Sequence, residues 1–166
     1  MIKKYFPNFL KSKPKIKMNN NQMYLAFYKA EHGTITDKFV SSVIRSKYSH
    51  VEFVFSDGVC ASASPREKGV RFKKINLNNG KWDLYPIKQS ILNETKVSTW
   101  FLKHLGQKYD TLGAIGSGIG LNLYSEDKKF CSLCLAIIFN LDNINLNPET
   151  LRLTLLEKGF ITKCLE

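Results

Sequence analysis

The chain has 166 residues and a mass of 19.0 kDa, the size of one domain that can bury a substantial core. Hydrophobic residues make up 43% of it and charged residues 23%, a composition that excludes a disordered chain and a fibrous repeat. The longest uninterrupted apolar stretch, residues 133–139, is far shorter than the roughly 20 residues of a membrane-spanning helix. We therefore predict a compact, enzyme-sized domain with no integral membrane segment.

Basic residues are unevenly distributed along the chain. Lys and Arg number 25 against 14 Asp and Glu, a formal net charge of +11, and residues 1–17 contain six lysines and no acid. We predict a basic N-terminal arm over residues 1–22 and a single domain over residues 23–166. The arm is either a solvated tail or a contact site for polyanions such as phosphates or anionic lipid heads. It lacks the apolar run and cleavage site of a secretory signal, so we expect a cytoplasmic location.

Strands are predicted mainly in the first half of the chain. Aromatic and β-branched residues indicate five of them, over residues 23–30, 51–55, 59–63, 70–75 and 82–87. The last four are expected to form an antiparallel meander with turns such as Asp57-Gly58, and the first could add a fifth strand. The expected class is α+β, with an antiparallel sheet of about four to six strands packed against helices.

Helices are predicted from apolar residues at helical spacing. One begins at Thr34 or Thr36, and the others cover residues 90–106, residues 130–141 and a segment opened by Asn147-Pro148-Glu149. The third of these is strongly apolar and carries two cysteines, so we expect it to be the central helix. Ser125 or Asp127 is expected to cap it.

Residues 113–120 contain four glycines, a pattern that suggests a nucleotide-binding loop. The segment has no GK[ST] ending and follows a predicted helix rather than a strand, so it meets neither phosphate-loop pattern. We predict close backbone packing or a mobile loop beside a cleft instead.

The candidate nucleophile is one of four cysteines. Cys60, Cys131, Cys134 and Cys164 are expected to be reduced, and no second CxxC or HxxxH completes a zinc site, so we predict neither a metal nor another cofactor. Cys131 stands at the predicted start of a helix, where free backbone N–H groups and the positive end of the helix dipole favour a thiolate. The alternative is that Cys131 is a small buried apolar residue.

A cysteine nucleophile needs a general base, and His50 is the best placed of the three histidines. It begins a predicted strand whose period of two puts His50 and Glu52 on one face. A carboxylate there can orient the imidazole and stabilise its charged form. The alternative is a solvated strand face that carries two unrelated polar residues.

The order of these motifs resembles one family of thiol hydrolases. The motifs are Tyr48-Ser-His-Val-Glu-Phe-Val-Phe55, then Tyr109-Asp110, then Phe130-Cys-Ser132. This series resembles the circularly permuted NlpC-type papain-like cysteine hydrolases, most closely the YiiX/YaeF-like group. In that family the histidine strand precedes the cysteine helix, and His50 precedes Cys131 here. The resemblance covers about residues 23 to 160 and implies a permuted papain-like fold.

What the resemblance implies is a cysteine-dependent amidase or peptidase. Cys131 would form a thioester acyl-enzyme, His50 would transfer protons and Glu52 would orient His50. Some relatives carry a Glu on the next strand, where this chain has Cys60 and Ser62, so Ser62 and Asp110 stay open as alternatives to Glu52. The Tyr48 hydroxyl is a candidate donor to the oxyanion, with a packed tyrosine near the strand start as the alternative.

The expected substrate is a peptide, cell-wall or lipid-type acyl group. Two other functions remain open at this stage. One is a thiol lipid hydrolase or acyltransferase with the same fold. The other is a non-catalytic binding protein whose basic arm engages nucleic acid, a membrane or a host protein.

Overall fold

The computed structural model of the chain describes residues 18–32 and 46–165, apart from 122, 124 and 126. The helix predicted from Thr34 or Thr36 and most of the predicted basic arm lie outside the described residues. The described part contains a five-stranded antiparallel sheet and four α-helices, which confirms the α+β class.

The sheet contains all five predicted strands, but their order differs from a simple meander. The strands are β1 (Tyr24–Lys29), β2 (Tyr48–Val54), β3 (Val59–Ser64), β4 (Gly69–Lys74) and β5 (Trp82–Pro86), in the spatial order β4-β3-β2-β1-β5. The expectation that β5 follows β4 in the sheet is therefore wrong, because β5 pairs with β1. Residues 75–81 make this crossing, and Leu77 within them is buried.

The sheet buries apolar side chains on both faces. One face carries Leu25, Phe27 and Phe53 and packs against the helices in the main core. The other face carries a smaller cluster that includes Tyr24 and Leu84. Pairing β5 with β1 contributes Leu84 to this second cluster, which gives a physical reason for the crossing.

The four helices are α1 (Glu94–Lys103), α2 (Thr111–Ile119), α3 (Cys131–Ile138) and α4 (Pro148–Glu157). Helix α4 starts as predicted, because the Asn147 side chain accepts a hydrogen bond from the Thr150 N–H at 3.0 Å. The glycine-rich segment forms helix α2 rather than a loop. Asp110 caps it by accepting the Gly113 N–H at 2.9 Å, and its glycines allow close packing.

The predicted cap of the cysteine helix is also wrong. The residue before α3 is Phe130, which makes no capping hydrogen bond, so neither Ser125 nor Asp127 has that role. The Ser125 N–H instead donates to the carboxylate of Asp110 at 2.6 Å. The first-turn N–H groups of α3 are therefore not occupied by a capping side chain.

The start of α3 is held to the edge of the sheet by two short extended segments. The Val70 N–H of β4 donates to the Gln107 carbonyl at 2.9 Å, and the Lys129 N–H donates to the Lys108 carbonyl at 3.0 Å. Gly69 is required at this contact, because a Cβ atom there would lie 2.2 Å from the carbonyl oxygen of Gln107. Cys131 follows two residues after Lys129, so this pairing determines where α3 begins.

We predict that Gly69→Ala lowers the free energy of unfolding by about 1–3 kcal/mol, because the added methyl group forces two paired backbone segments apart. Urea denaturation would measure the change. Thr99→Ala, at an exposed position of α1, serves as control and should stay within about 0.5 kcal/mol of the wild type. Equal stability of Gly69→Ala and the wild type would contradict the close approach.

Candidate active site

The candidate site lies where β2 and β3 are not paired with each other. These strands pair at Phe53↔Ala61 and Val54↔Cys60, whereas β3 and β4 pair along six positions. Beyond the two pairs, the Ser62 hydroxyl donates to the carbonyl of Val51 at 2.8 Å in place of a backbone bond. Residues 48–52 of β2 and 62–64 of β3 pair with their outer neighbours but not with each other, and we call the space between them the β2–β3 gap.

Helix α3 brings its first residue to the β2–β3 gap. The Cys131 sulfur interacts with the backbone N–H of Val51 and with that of Ser132. One turn further along the helix, the Cys134 sulfur interacts with the N–H of Ala63. The two cysteines therefore lie against β2 and β3 respectively, and Cys131 is the one beside the histidine strand.

Strand β2 is irregular just before His50. Tyr28 of β1 pairs with His50 and Lys29 pairs with Tyr48, which leaves Ser49 as an extra residue in a β-bulge. From His50 onward the strand pairs regularly with β1. The imidazole of His50 lies close enough to the Cys131 thiol for each group to shift the pKa of the other.

Glu52 lies on the other side of the imidazole. Its Oε1 is 2.7 Å from Nε2 of His50, so the two side chains share a face as the strand period predicts. Because Nε2 is occupied by the carboxylate, Nδ1 is the ring nitrogen left for the sulfur. Cys131, His50 and Glu52 thus form one contiguous chain of contacts.

Arg71 of β4 completes this chain, and the sequence analysis missed it. Its two terminal nitrogens lie 2.7 and 2.5 Å from the two carboxylate oxygens of Glu52, a bidentate pair. The Glu52 side chain is fully buried, so its charge needs such a partner. A strand glutamate predicted among apolar neighbours was a signal that a cation had to be nearby.

The charges of the site stabilise one another. Burial lowers the pKa of His50, but the negative charges of Cys131 and Glu52 outweigh this effect and raise the pKa to about 10. Burial raises the pKa of the Cys131 thiol, but the charge and hydrogen bond of His50 bring it below the ordinary value. Burial likewise raises the pKa of Glu52, and Arg71 and His50 lower it below the ordinary value. These shifts favour a thiolate–imidazolium pair at neutral pH.

Solvent reaches His50 more readily than it reaches Cys131. The Cys131 residue is only 4% exposed, whereas the His50 side chain is 16% exposed. A cavity of about 320 Å³ is lined by His50, Glu52, Arg71 and Trp82, among other residues. Cys131 does not line this cavity, so the cavity borders the base and its carboxylate rather than the sulfur.

The other candidate residues have separate roles in the described part of the chain. Asp110 caps α2, and the Ser62 hydroxyl is bonded to the Val51 carbonyl, so neither of them is the carboxylate or hydroxyl that holds His50. The Tyr48 hydroxyl donates to Asp83 at 2.6 Å. Burial raises the pKa of the Cys60 thiol to about 12, and it also raises the pKa of Cys134.

Among the described residues, no group of three or more His, Cys, Asp or Glu side chains is arranged to hold a metal ion. No described helix is long and apolar enough to cross a membrane. Comparisons with protein-family models, with curated proteins and with solved structures find no match to this chain.

We predict that Arg71→Gln lowers the free energy of unfolding at pH 7 by about 3 kcal/mol, because it leaves the buried Glu52 carboxylate with one partner fewer. Arg71→Lys is the matched control: it keeps the charge but not the bidentate geometry, so the loss should be smaller. Urea denaturation of both variants would measure these values.

The difference in the free energy of unfolding between Arg71→Gln and the wild type depends on pH. The fold lowers the pKa of Glu52, so the stabilisation by Arg71 is present above the pKa of an unfolded glutamate and is lost as Glu52 becomes protonated in acid. The difference between Arg71→Gln and the wild type should therefore shrink at low pH. A difference below about 0.5 kcal/mol at pH 7 would contradict the assigned pair.

Proposed function

We propose that the protein is a thiol hydrolase of the circularly permuted papain-like type. The observation that carries the proposal is the contact chain of Cys131, His50 and Glu52 at the start of α3. The order of the histidine strand and the cysteine helix in the sequence agrees with it. A nucleophile, a base and a residue that orients the base are the parts that covalent acyl transfer requires.

In the first half of the reaction, the Cys131 thiolate attacks the carbonyl carbon of an amide or ester. The carbonyl oxygen becomes an oxyanion, which the uncapped N–H groups of the first turn of α3 can stabilise. The His50 imidazolium then donates its proton to the leaving nitrogen or oxygen, and the carbon–heteroatom bond breaks. The product of this half is a thioester on Cys131.

In the second half, water hydrolyses the thioester. Neutral His50 takes a proton from the water as it attacks, and the tetrahedral intermediate expels the Cys131 thiolate. This step regenerates the thiolate–imidazolium pair and releases a carboxylic acid. Glu52 keeps the imidazole in one orientation throughout, and Arg71 keeps Glu52 ionised.

We predict that Cys131 reacts with iodoacetamide at a rate that is nearly constant between about pH 6 and 9, because it is already a thiolate. In His50→Ala the thiol is buried without its cation, so the rate at pH 7 should fall by about tenfold or more. Peptide mass spectrometry would separate Cys131 from the other three cysteines. The pH profile is the readout, since burial slows the absolute rate.

His104→Ala is the control for this experiment, because His104 lies beside Trp100 and away from the sulfur. Its pH profile should match that of the wild type. If the wild-type profile instead rises through pH 8 to 9 like that of an ordinary thiol, and His50→Ala leaves it unchanged, Cys131 is not activated.

We further predict that p-nitrophenyl acyl esters acylate Cys131. Intact mass spectrometry should detect one added acyl group, which peptide mapping assigns to Cys131 and which hydroxylamine removes. Cys131→Ala should show no adduct, and Cys164→Ser should acylate like the wild type, because the Cys164 sulfur interacts with the backbone of Leu84 rather than with His50. Acylation that persists in Cys131→Ala would refute this residue as the nucleophile.

A further inference from the structure

The cavity beside His50 lies on the face of the sheet that carries the smaller apolar cluster. It is lined by side chains of all five strands, by the turn between β3 and β4, and by the first residues of the crossing segment 75–81. Its volume of about 320 Å³ is within the range of small-molecule sites. The cavity is therefore large enough for a small ligand or for one half of a larger one.

The apolar lining of the cavity is mainly aromatic. Trp82 and Tyr28 have ring centroids 4.9 Å apart, and Pro65 and Ile75 contribute aliphatic surface. The Trp82 ring centroid also lies 6.4 Å from that of the His50 imidazole. These side chains can pack against an apolar or aromatic ligand body that lies next to the base.

The charged groups that line the cavity carry an excess of positive charge. Four Lys and Arg side chains and the His50 imidazolium stand against two carboxylates, a sum of +3: Arg66, Arg71, Lys73, Lys74, Glu52 and Glu67. Both carboxylates already have partners. Glu52 contacts His50 and Arg71, and Glu67 pairs with Lys73. Within the described part of the chain, no carboxylate pairs with Arg66 or Lys74, so these two cations are available to a ligand.

Two acidic residues near the cavity do not offset this excess. Asp83 points to the opposite face of the sheet, where Lys29 and Lys47 pair with its carboxylate at 2.9 and 3.1 Å. Glu31 lies 3.3 Å from His32 and does not line the cavity. The cavity therefore combines an aromatic lining with available positive charge.

We propose that the cavity binds an anionic group, a carboxylate or a phosphate, carried on a small apolar or aromatic body. Arg66 stands in the turn before β4 and Lys74 at the end of β4, so the available cations lie toward opposite ends of this strand. The anionic group forms charge-assisted hydrogen bonds with these cations. The body of the ligand packs against Trp82.

The position of the cavity assigns the anionic group to one half of the substrate, a step that rests on the proposed function. Cys131 does not line the cavity, whereas His50 does. In the proposed reaction the acyl group becomes attached to Cys131, and His50 gives its proton to the leaving atom. The half next to the cavity is therefore the leaving half, which departs as an alcohol or amine that carries the anionic group.

Binding to the full wild-type chain is tested with probes that cannot acylate it. The probes are benzoate and phenyl phosphate, which separate a carboxylate from a phosphate, and neutral benzamide. The readout is the indole N–H signal of Trp82 in nitrogen-15 NMR, which Trp100→Phe distinguishes from that of the second tryptophan. We expect at least one anion to shift the Trp82 signal saturably and benzamide to bind at least about fivefold more weakly.

The test variants are Arg66→Gln and Lys74→Gln, at exposed positions outside the core. Each should weaken binding of the anion by about threefold, and the double variant by about tenfold. Lys103→Gln is the matched control, because it removes an exposed positive charge of α1 that does not line the cavity. Its binding should stay within about twofold of the wild type.

A second experiment tests the assignment to the leaving half. Two phenyl acetates acylate Cys131 with the same acetyl group; one carries, on its phenol, the anion that binds more tightly, and the other a neutral amide. The acylation rate of the anionic ester, relative to that of the neutral ester, should fall about tenfold in the double variant. The intrinsic reactivities of the two esters cancel in this comparison.

Three results would overturn the proposal. One is a Trp82 signal that neither anion shifts. Another is benzamide that binds as tightly as the anions, or a double variant that binds the anions like the wild type. The third is a double variant that loses anion binding but keeps the wild-type ratio of acylation rates, which would separate the cavity from the leaving half. Failure of the hydrolase proposal is distinguishable, because it abolishes acylation of Cys131, and with it the assignment to a leaving half, but leaves anion binding intact.

Discussion

The charge on the Cys131 sulfur depends on its contact with the imidazole of His50. Cys131 is almost fully buried, and burial alone would keep it a neutral thiol with little nucleophilic character. The neighbouring imidazolium reverses this preference. Two other features of the fold bring these groups together: the two-position pairing of β2 with β3, and the anchoring of Lys129 before α3.

The buried charges alternate in sign along the contact chain. The Cys131 thiolate, the His50 imidazolium, the Glu52 carboxylate and the Arg71 guanidinium sum to zero. Burying charges is costly unless each has a close partner of opposite sign, and here each one does. This series of charges continues to the surface, where Glu67 pairs with Arg71 at 3.6 Å and with Lys73 at 2.5 Å.

Local patterns in the sequence predicted the parts of the site that depend on local structure. The strand period predicted that His50 and Glu52 share a face, and the apolar run predicted that a helix begins close to Cys131. Arg71 was missed because its contact with Glu52 spans three strands, and only the tertiary arrangement brings them together. The bulge at Ser49 has no local signature for the same reason.

The errors in the fold have a similar origin. For the glycine-rich segment, the predicted close backbone packing occurs at Gly116, but the alternative of a mobile loop is wrong. The Asp110 cap and the close approach of residues 121 and 123 favour helix α2 in spite of the low helix propensity of glycine. The crossing of β5 to β1 depends on burial of the second face of the sheet, which no single segment encodes. In both cases tertiary contacts outweighed the local preference.

The most direct test of this account is the protonation state of His50, observed by nitrogen-15 NMR of its imidazole ring as a function of pH. The account predicts that both ring nitrogens stay protonated at neutral pH and that the ring titrates near pH 10. In Cys131→Ala the pKa should fall, because the negative charge of the sulfur is gone. A ring that is neutral at pH 7.5 in the wild type, or a pKa that is unchanged in Cys131→Ala, would contradict the thiolate–imidazolium pair.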